Sequence, residues 1–105
     1  MKKISFLDDT IESVLNGQKT ETLRLNENFN IEETVILTRQ SGEELGYLKI
    51  LDKSEIKFSN LTNEDAKKHA WNSVSELKER LLRIYPKLIP ESLLARYKFK
   101  YSKNI

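Results

Sequence analysis

The hydrophobic pattern of this chain changes period twice, and that limits its architecture more than any single motif does. Apart from the short helical spacing of Ile11, Val14 and Leu15, the apolar side chains up to about residue 58 alternate or run in short β-branched stretches. From Val74 to Ile84 they recur every three or four residues, and from Arg96 to Tyr101 they alternate again. A period of two sends successive side chains to opposite faces of a strand, whereas a period of 3.6 stacks them on one face of a helix. Strands, then helices, then a closing strand describe an α+β domain and not a regularly alternating parallel sheet. In 105 residues one domain spanning 1–105 is expected. Edges of so small a sheet have to be closed or covered. Joining the last strand to earlier ones therefore predicts a small, mostly antiparallel or mixed β-barrel, partly closed, with about three peripheral helices.

Local signals place the elements. Ile4 and Phe6 lie in a short extended segment. Asp9-Thr10-Ile11-Glu12 has capping-box spacing, so a first helix is expected from Asp9, burying Ile11, Val14 and Leu15 and ending at Asn16-Gly17. Residues 20–25 read as a strand with Leu23 and Leu25 toward the core and Thr22 and Arg24 on the other side. After a polar loop over 26–30, residues 34–38 read as a strand buried on both faces, and 45–51 and 55–58 as further strands of a meander. Thr62 with Asp65, and Ser73 with Glu76, open a short and a longer helix; the stripe Val74, Leu77, Leu81, Ile84 stops before Pro86. The last strand points its aromatics inward and Arg96, Lys98 and Lys100 outward.

Composition removes whole classes of chemistry. Without cysteine there is no disulfide, thiolate nucleophile, cysteine zinc site or iron–sulfur cluster, and the single histidine, His69, cannot supply a ligand pair. No metal and no cofactor are therefore assigned. No stretch approaches the ~20 apolar residues that span a bilayer, so neither a membrane partner nor a signal peptide is predicted; a monomer in the cytoplasm is the default. Charge divides unevenly: residues 1–60 hold 8 basic and 11 acidic side chains, residues 61–105 hold 10 and 5. The C-terminal part can therefore form an electrostatic footprint for an anion, or simply a solvated helix face.

The unusual residues concentrate in Gly17-Gln18-Lys19-Thr20-Glu21-Thr22-Leu23-Arg24. A lysine follows a helix-ending glycine, and Thr22 and Arg24 share the non-core side of the next strand. Lysine as a point charge and arginine as a planar fork can hold a phosphate or carbonyl oxygen beside a threonine hydroxyl. Burial next to Arg24 would lower the Lys19 pKa, as a general base requires. Elsewhere the candidates have two accounts each. Glu64 and Asp65 suit the positive end of a helix as well as acid catalysis. Trp71 and Tyr85 are either stacking walls or core packing, and His69 reads as a surface or helix-end residue. Arg96, Lys98, Lys100 and Lys103 can neutralise phosphates or merely form the wet side of a strand.

At these residues the chain resembles a known family. The pattern G-x-K-x-x-T-x-R, preceded by the D-x-I-x-x-V-L-N-G helix of Asp9 to Gly17, is similar to the ASCH domain family, which has a PUA-like β-barrel fold. A second block agrees: Leu61-Thr62-Asn63-Glu64-Asp65-Ala66, then Trp71-Asn72-Ser73-Val74-Ser75-Glu76-Leu77, then Ile84-Tyr85-Pro86. The resemblance runs from about Phe6 to Tyr101 and is weakest between Leu25 and Lys57. It implies RNA or nucleotide binding in a cleft between barrel and helices. One bacterial branch removes the acetyl group of N(4)-acetylcytidine with a lysine, a threonine and a glutamate. The first two fall on Lys19, as base, and Thr22, as nucleophile or oxyanion partner; the third falls on Ala70, leaving Glu64 or Asp65 as candidate acids. The expectation is an RNA- or nucleoside-binding protein with its cleft around Lys19, Thr22, Arg24 and Gly17. An amidohydrolase acting on acetylated cytidine, and a non-catalytic interaction or regulatory protein, are the alternatives.

Overall fold

The computed structural model describes all 105 residues. In chain order they form β1 (Lys3–Phe6), α1 (Asp8–Leu15), β2 (Glu21–Arg24), β3 (Thr34–Arg39), β4 (Glu44–Lys57), a 3-10 turn (Phe58–Asn60), α2 (Asn63–Lys68), α3 (Val74–Ile84) and β5 (Leu93–Ser102). The strands make a five-stranded sheet in the order β1-β3-β4-β5-β2. β1 pairs with β3 in parallel, and the other neighbours are antiparallel.

Three expectations about the strands are corrected. First, β2 does not sit beside β3 in a meander but pairs with β5 at the opposite edge, Thr22 facing Tyr97. The connection between them is held by the core: the Tyr97 hydroxyl donates to the Glu27 carbonyl at 2.9 Å and accepts from the Phe29 N–H at 3.2 Å, and the Phe29 ring meets Tyr97 edge-on at 5.2 Å. Second, the two predicted strands after residue 44 are one strand, β4, whose register shifts between Ile50 and Asp52 instead of breaking. A bulge adds a residue and bends the strand without ending it. Third, β3 buries Val35, Leu37 and, past an irregularity in its pairing, Thr38, while Ile36 stays partly exposed, so the burial expected on both faces is incomplete.

Nor is the barrel closed by a ladder: β1 and β2 remain edges. A side chain spans the gap instead, as Arg24 Nη2 donates to the Ser5 carbonyl across it at 2.9 Å. Gly46 shows how tightly the paired strands approach elsewhere. Its φ is +140°, and a Cβ there would lie 2.7 Å from the Ser102 carbonyl oxygen.

Two apolar clusters flank the sheet. Ile4, Phe6, Ile11, Val14, Tyr97 and Phe99 belong to the inner one, where α1 packs. Leu23, Ala66, Leu77, Leu81 and Leu94 belong to the outer one, beneath α2 and α3. Each fully buried leucine there contributes roughly 1.5–3 kcal/mol. Leu25, just past the end of β2, and Ile84, at the last turn of α3, are exposed against expectation because their elements end there.

The helix caps follow the sequence signals except at α1. Thr62 and Asp65 form a reciprocal capping box at α2, and Ser73 Oγ accepts from the Glu76 N–H at 3.2 Å. Helix α1 starts at Asp8 with no side-chain cap. The Asp9 carboxylate expected there accepts from Arg80 Nη2 of α3 at 2.7 Å instead. A charge-assisted bond to a guanidinium outcompetes a neutral backbone donor.

Candidate functional site

A cavity of about 260 Å³ opens where the two sheet edges fail to meet. Ser5 and Phe6 line it from β1; Lys19, Thr22, Leu23 and Arg24 from β2 and its approach; His69 and Trp71 from the end of α2; Arg80 and Tyr85 from α3 and its C-cap. The local sequence builds the β2 wall. Gly17, at φ +84°, reverses the chain after α1, a conformation glycine adopts without a Cβ penalty. The Lys19 N–H then donates to the Ser13 carbonyl and the Thr20 N–H to the Lys68 carbonyl, both at 2.9 Å. The lysine is thereby fixed between α1 and α2 before β2 begins.

Lys19 is only 6% exposed and Thr22 3%. Burial, followed by the Arg24 charge, lowers the Lys19 pKa from 10.5 to about 7; Glu21 opposes the shift and Arg80 adds to it. Its ammonium lies 5.8 Å from the centre of the Phe6 ring. Arg24 is the organiser: Nε donates to Thr22 Oγ1 at 3.0 Å, Nη1 to Glu27 Oε1 at 3.1 Å, and its guanidinium lies 4.7 Å from the Phe6 centroid. Since the Thr22 oxygen accepts from Arg24, the hydroxyl proton is left to point elsewhere.

Of the two placements expected of His69, helix end and surface, the first holds, since it is the C-cap of α2, and the second does not, since it is 2% exposed on the cavity wall. Its Nδ1 is 2.7 Å from the Asp65 carbonyl oxygen, which can only accept, so Nδ1 carries the proton and Nε2 is a bare acceptor. Nε2 is buried without a partner. Burial first, then the nearby Lys19, lowers the ring's pKa to about 3, so the imidazole stays neutral across the physiological range.

The other sequence candidates lie elsewhere. Gly17 shapes the turn without lining the cavity. Glu64 is exposed and pairs with Lys67 at 3.6 Å. Asp65 is occupied by the Thr62 capping box and by Arg96 at 3.6 Å. Arg96 and Lys98 line a separate polar hollow of about 130 Å³ with Glu21, Asp52, Ser54 and Lys68. Lys100, opposite Lys49 on the exposed side of β5, reaches neither recess. Ala70 adopts φ +63° beyond the end of α2.

Glu27 and Arg80 are wall residues that sequence reasoning passed over. Arg80 stacks 4.7 Å above the Trp71 ring. No local signal marks it: its partner Asp9 is 71 residues away, and on α3 it reads as part of a solvated face.

This open, mixed five-stranded α+β sheet with its three helices is the fold of solved ASCH domain structures. An ASCH domain from Lactobacillus crispatus superposes with a TM-score of 0.80 at 13% identity, over 90% of this chain and 70% of that one. The protein EF3133 from Enterococcus faecalis gives 0.74 at 15% identity, over 97% and 77%. ZmASCH from Zymomonas mobilis gives 0.61 at 13%, over 96% and 67%. No protein-family model matches the sequence, and no curated protein is significantly similar to it. Likeness at this identity establishes the fold; what the cavity does has to be argued from its chemistry. No helix is long and apolar enough to cross a membrane.

Proposed function

We propose that this protein is an RNA- or nucleoside-binding ASCH domain whose ligand enters the cavity bounded by Lys19, Thr22 and Arg24. The observation that carries this reading is the convergence of these three groups, with the bare acceptor of His69, on one recess walled by Trp71 and Tyr85. Buried donors and acceptors are costly unless something bonds to them, and a base edge offers both kinds of group. The volume, about 260 Å³, lies just below the usual range of small-molecule pockets, so the reading assigns it no more than one nucleoside unit. Trp71 is the single tryptophan and lines the cavity, so its fluorescence reports occupancy. Titration at low salt with short RNA and with nucleosides is expected to show saturable binding that Lys19→Ala weakens. No binding of either, together with no effect of Lys19→Ala, refutes the reading.

A second reading, removal of acetyl from N(4)-acetylcytidine or a related amide, is favoured by one observation: the Lys19 amine, with its pKa near 7, is about half neutral at neutral pH. In this scheme neutral Lys19 takes the Thr22 proton as Thr22 Oγ1 attacks the amide carbonyl. The C–N bond breaks, and the proton passes to the departing nitrogen. Arg24 steadies the oxyanion, and water then releases acetate from the threonine ester. Binding is ranked first because Ala70, standing at the family's glutamate position, cannot transfer a proton. Incubation with N(4)-acetylcytidine tests it: acetyl loss should rise as pH passes through about 7 and vanish in Thr22→Ala. Activity that survives Thr22→Ala refutes the assigned role.

A further inference from the structure

We infer that the ligand of this cavity carries a phosphate, received by Arg80, so that the site takes a nucleotide unit in preference to an uncharged nucleoside. The inference rests on the nucleic-acid reading above and adds the charge of the ligand. Arg80 is held from two sides: Nη2 donates to Asp9 Oδ1 at 2.7 Å, and the guanidinium lies 4.7 Å above Trp71. An arginine has five N–H donors, and Asp9 engages only one of its nitrogens. The others belong to a fork already fixed in orientation at the cavity rim, where the side chain keeps 17% exposure. Such a fork matches the oxygens of a phosphate without losing much rotamer freedom on binding.

The charge balance points the same way. Lys19, Arg24 and Arg80 line the wall against one carboxylate, Glu27, which is already engaged by Arg24. Asp9 offsets Arg80 only in part, because it stands outside the wall and is more than half exposed. The two buried titratable groups register this excess. After burial, Lys19 is held down by Arg24 and Arg80 with only Glu21 opposing, and His69 by Lys19 against its bond to the Asp65 carbonyl; Arg96 and Lys68, which also lower His69, belong to the neighbouring hollow. An anion entering the recess therefore meets a field of the opposite sign.

Of the two parts expected of Trp71, stacking wall or core packing, the structure shows packing against the outer cluster. The indole face toward Arg80 is covered, so that face orients the guanidinium instead of a base.

Trp71 fluorescence provides the test on the intact chain: cytidine, its 5′-monophosphate, inorganic phosphate and a short RNA are titrated in parallel. The monophosphate is expected to bind at least about tenfold more tightly than the nucleoside at low salt. That gain should fade as salt rises and disappear in Arg80→Gln. The salt series on the unsubstituted protein keeps the test decisive should Arg80→Gln fold poorly. Equal binding of nucleoside and monophosphate, or a gain that survives Arg80→Gln, overturns the inference while leaving nucleoside binding intact. Inorganic phosphate binding as tightly as the monophosphate overturns the nucleotide assignment. Absence of all binding overturns this inference and the proposed function together.

Discussion

Replacing Lys19 with methionine removes a buried ammonium while keeping most of its aliphatic length. The unfolded chain titrates at 10.5 at this position and the folded protein at about 7. Between those values the unfolded state binds a proton that the folded state rejects, so stability rises with pH across that window. Below about pH 7 the folded state bears the full cost, roughly 5 kcal/mol at 1.36 kcal/mol per unit; above 10.5 it bears none. At neutral pH Lys19→Met should recover roughly 4 kcal/mol, less about 1 kcal/mol for the lost contact of the cation with Phe6. The net is a stabilisation of roughly 2–4 kcal/mol, or at least about 10 °C in Tm for a chain of this size. Urea unfolding of both proteins at about pH 6 and about pH 10 measures it, and the gap should shrink toward the higher pH. The variant should at the same time lose ligand binding, because strain held at a site is commonly part of its function. A variant no more stable than the parent, or a gap indifferent to pH, refutes the claim that a desolvated charge sits in this cavity.

Three further outcomes follow from the geometry. Tyr97→Phe leaves the Phe29 N–H without its buried acceptor and should cost about 1–3 kcal/mol in chemical denaturation, loosening the segment that carries Glu27. In Gly46→Ala the new Cβ meets the Ser102 carbonyl oxygen at 2.7 Å in a backbone conformation hostile to side chains, so a loss of at least about 1–3 kcal/mol is expected in thermal melts. The Asp9 pKa is lowered from 3.8, chiefly by its hydrogen bond from Arg80. Its contribution is thus present above pH 3.8 and lost as acid protonates it, and acid titration of Asp9→Asn should lack that component.

Much of the fold is legible because its signals are local. The capping residues Thr62 and Ser73, the turn at Gly17 and the alternation of Tyr97 and Phe99 with lysines all depend on a few consecutive residues, and each appears where expected. Two of the errors share one cause, a partner distant in the chain. Asp9 carries the spacing of a cap, yet an arginine 71 residues away claims it. Strand 20–25 carries the alternation of a strand but no information about its neighbour, and Tyr97 decides that by fastening the following loop.

The cavity divides in the same manner. Lys19, Thr22 and Arg24 were identifiable as a group because a strand preceded by a glycine turn brings nearby residues to one edge. The order of hydrophobic periods therefore suffices to specify the α+β class, and local capping and turn residues the starts of α2 and α3 and the segment 19–24 after α1, since backbone geometry acts over a handful of residues. Which edges face each other, that Arg24 spans them, that His69 is buried and neutral, and that Arg80 joins from α3 are decided only by packing. Burial and charge at a point are sums over everything within reach in space, and sequence distance does not encode that sum.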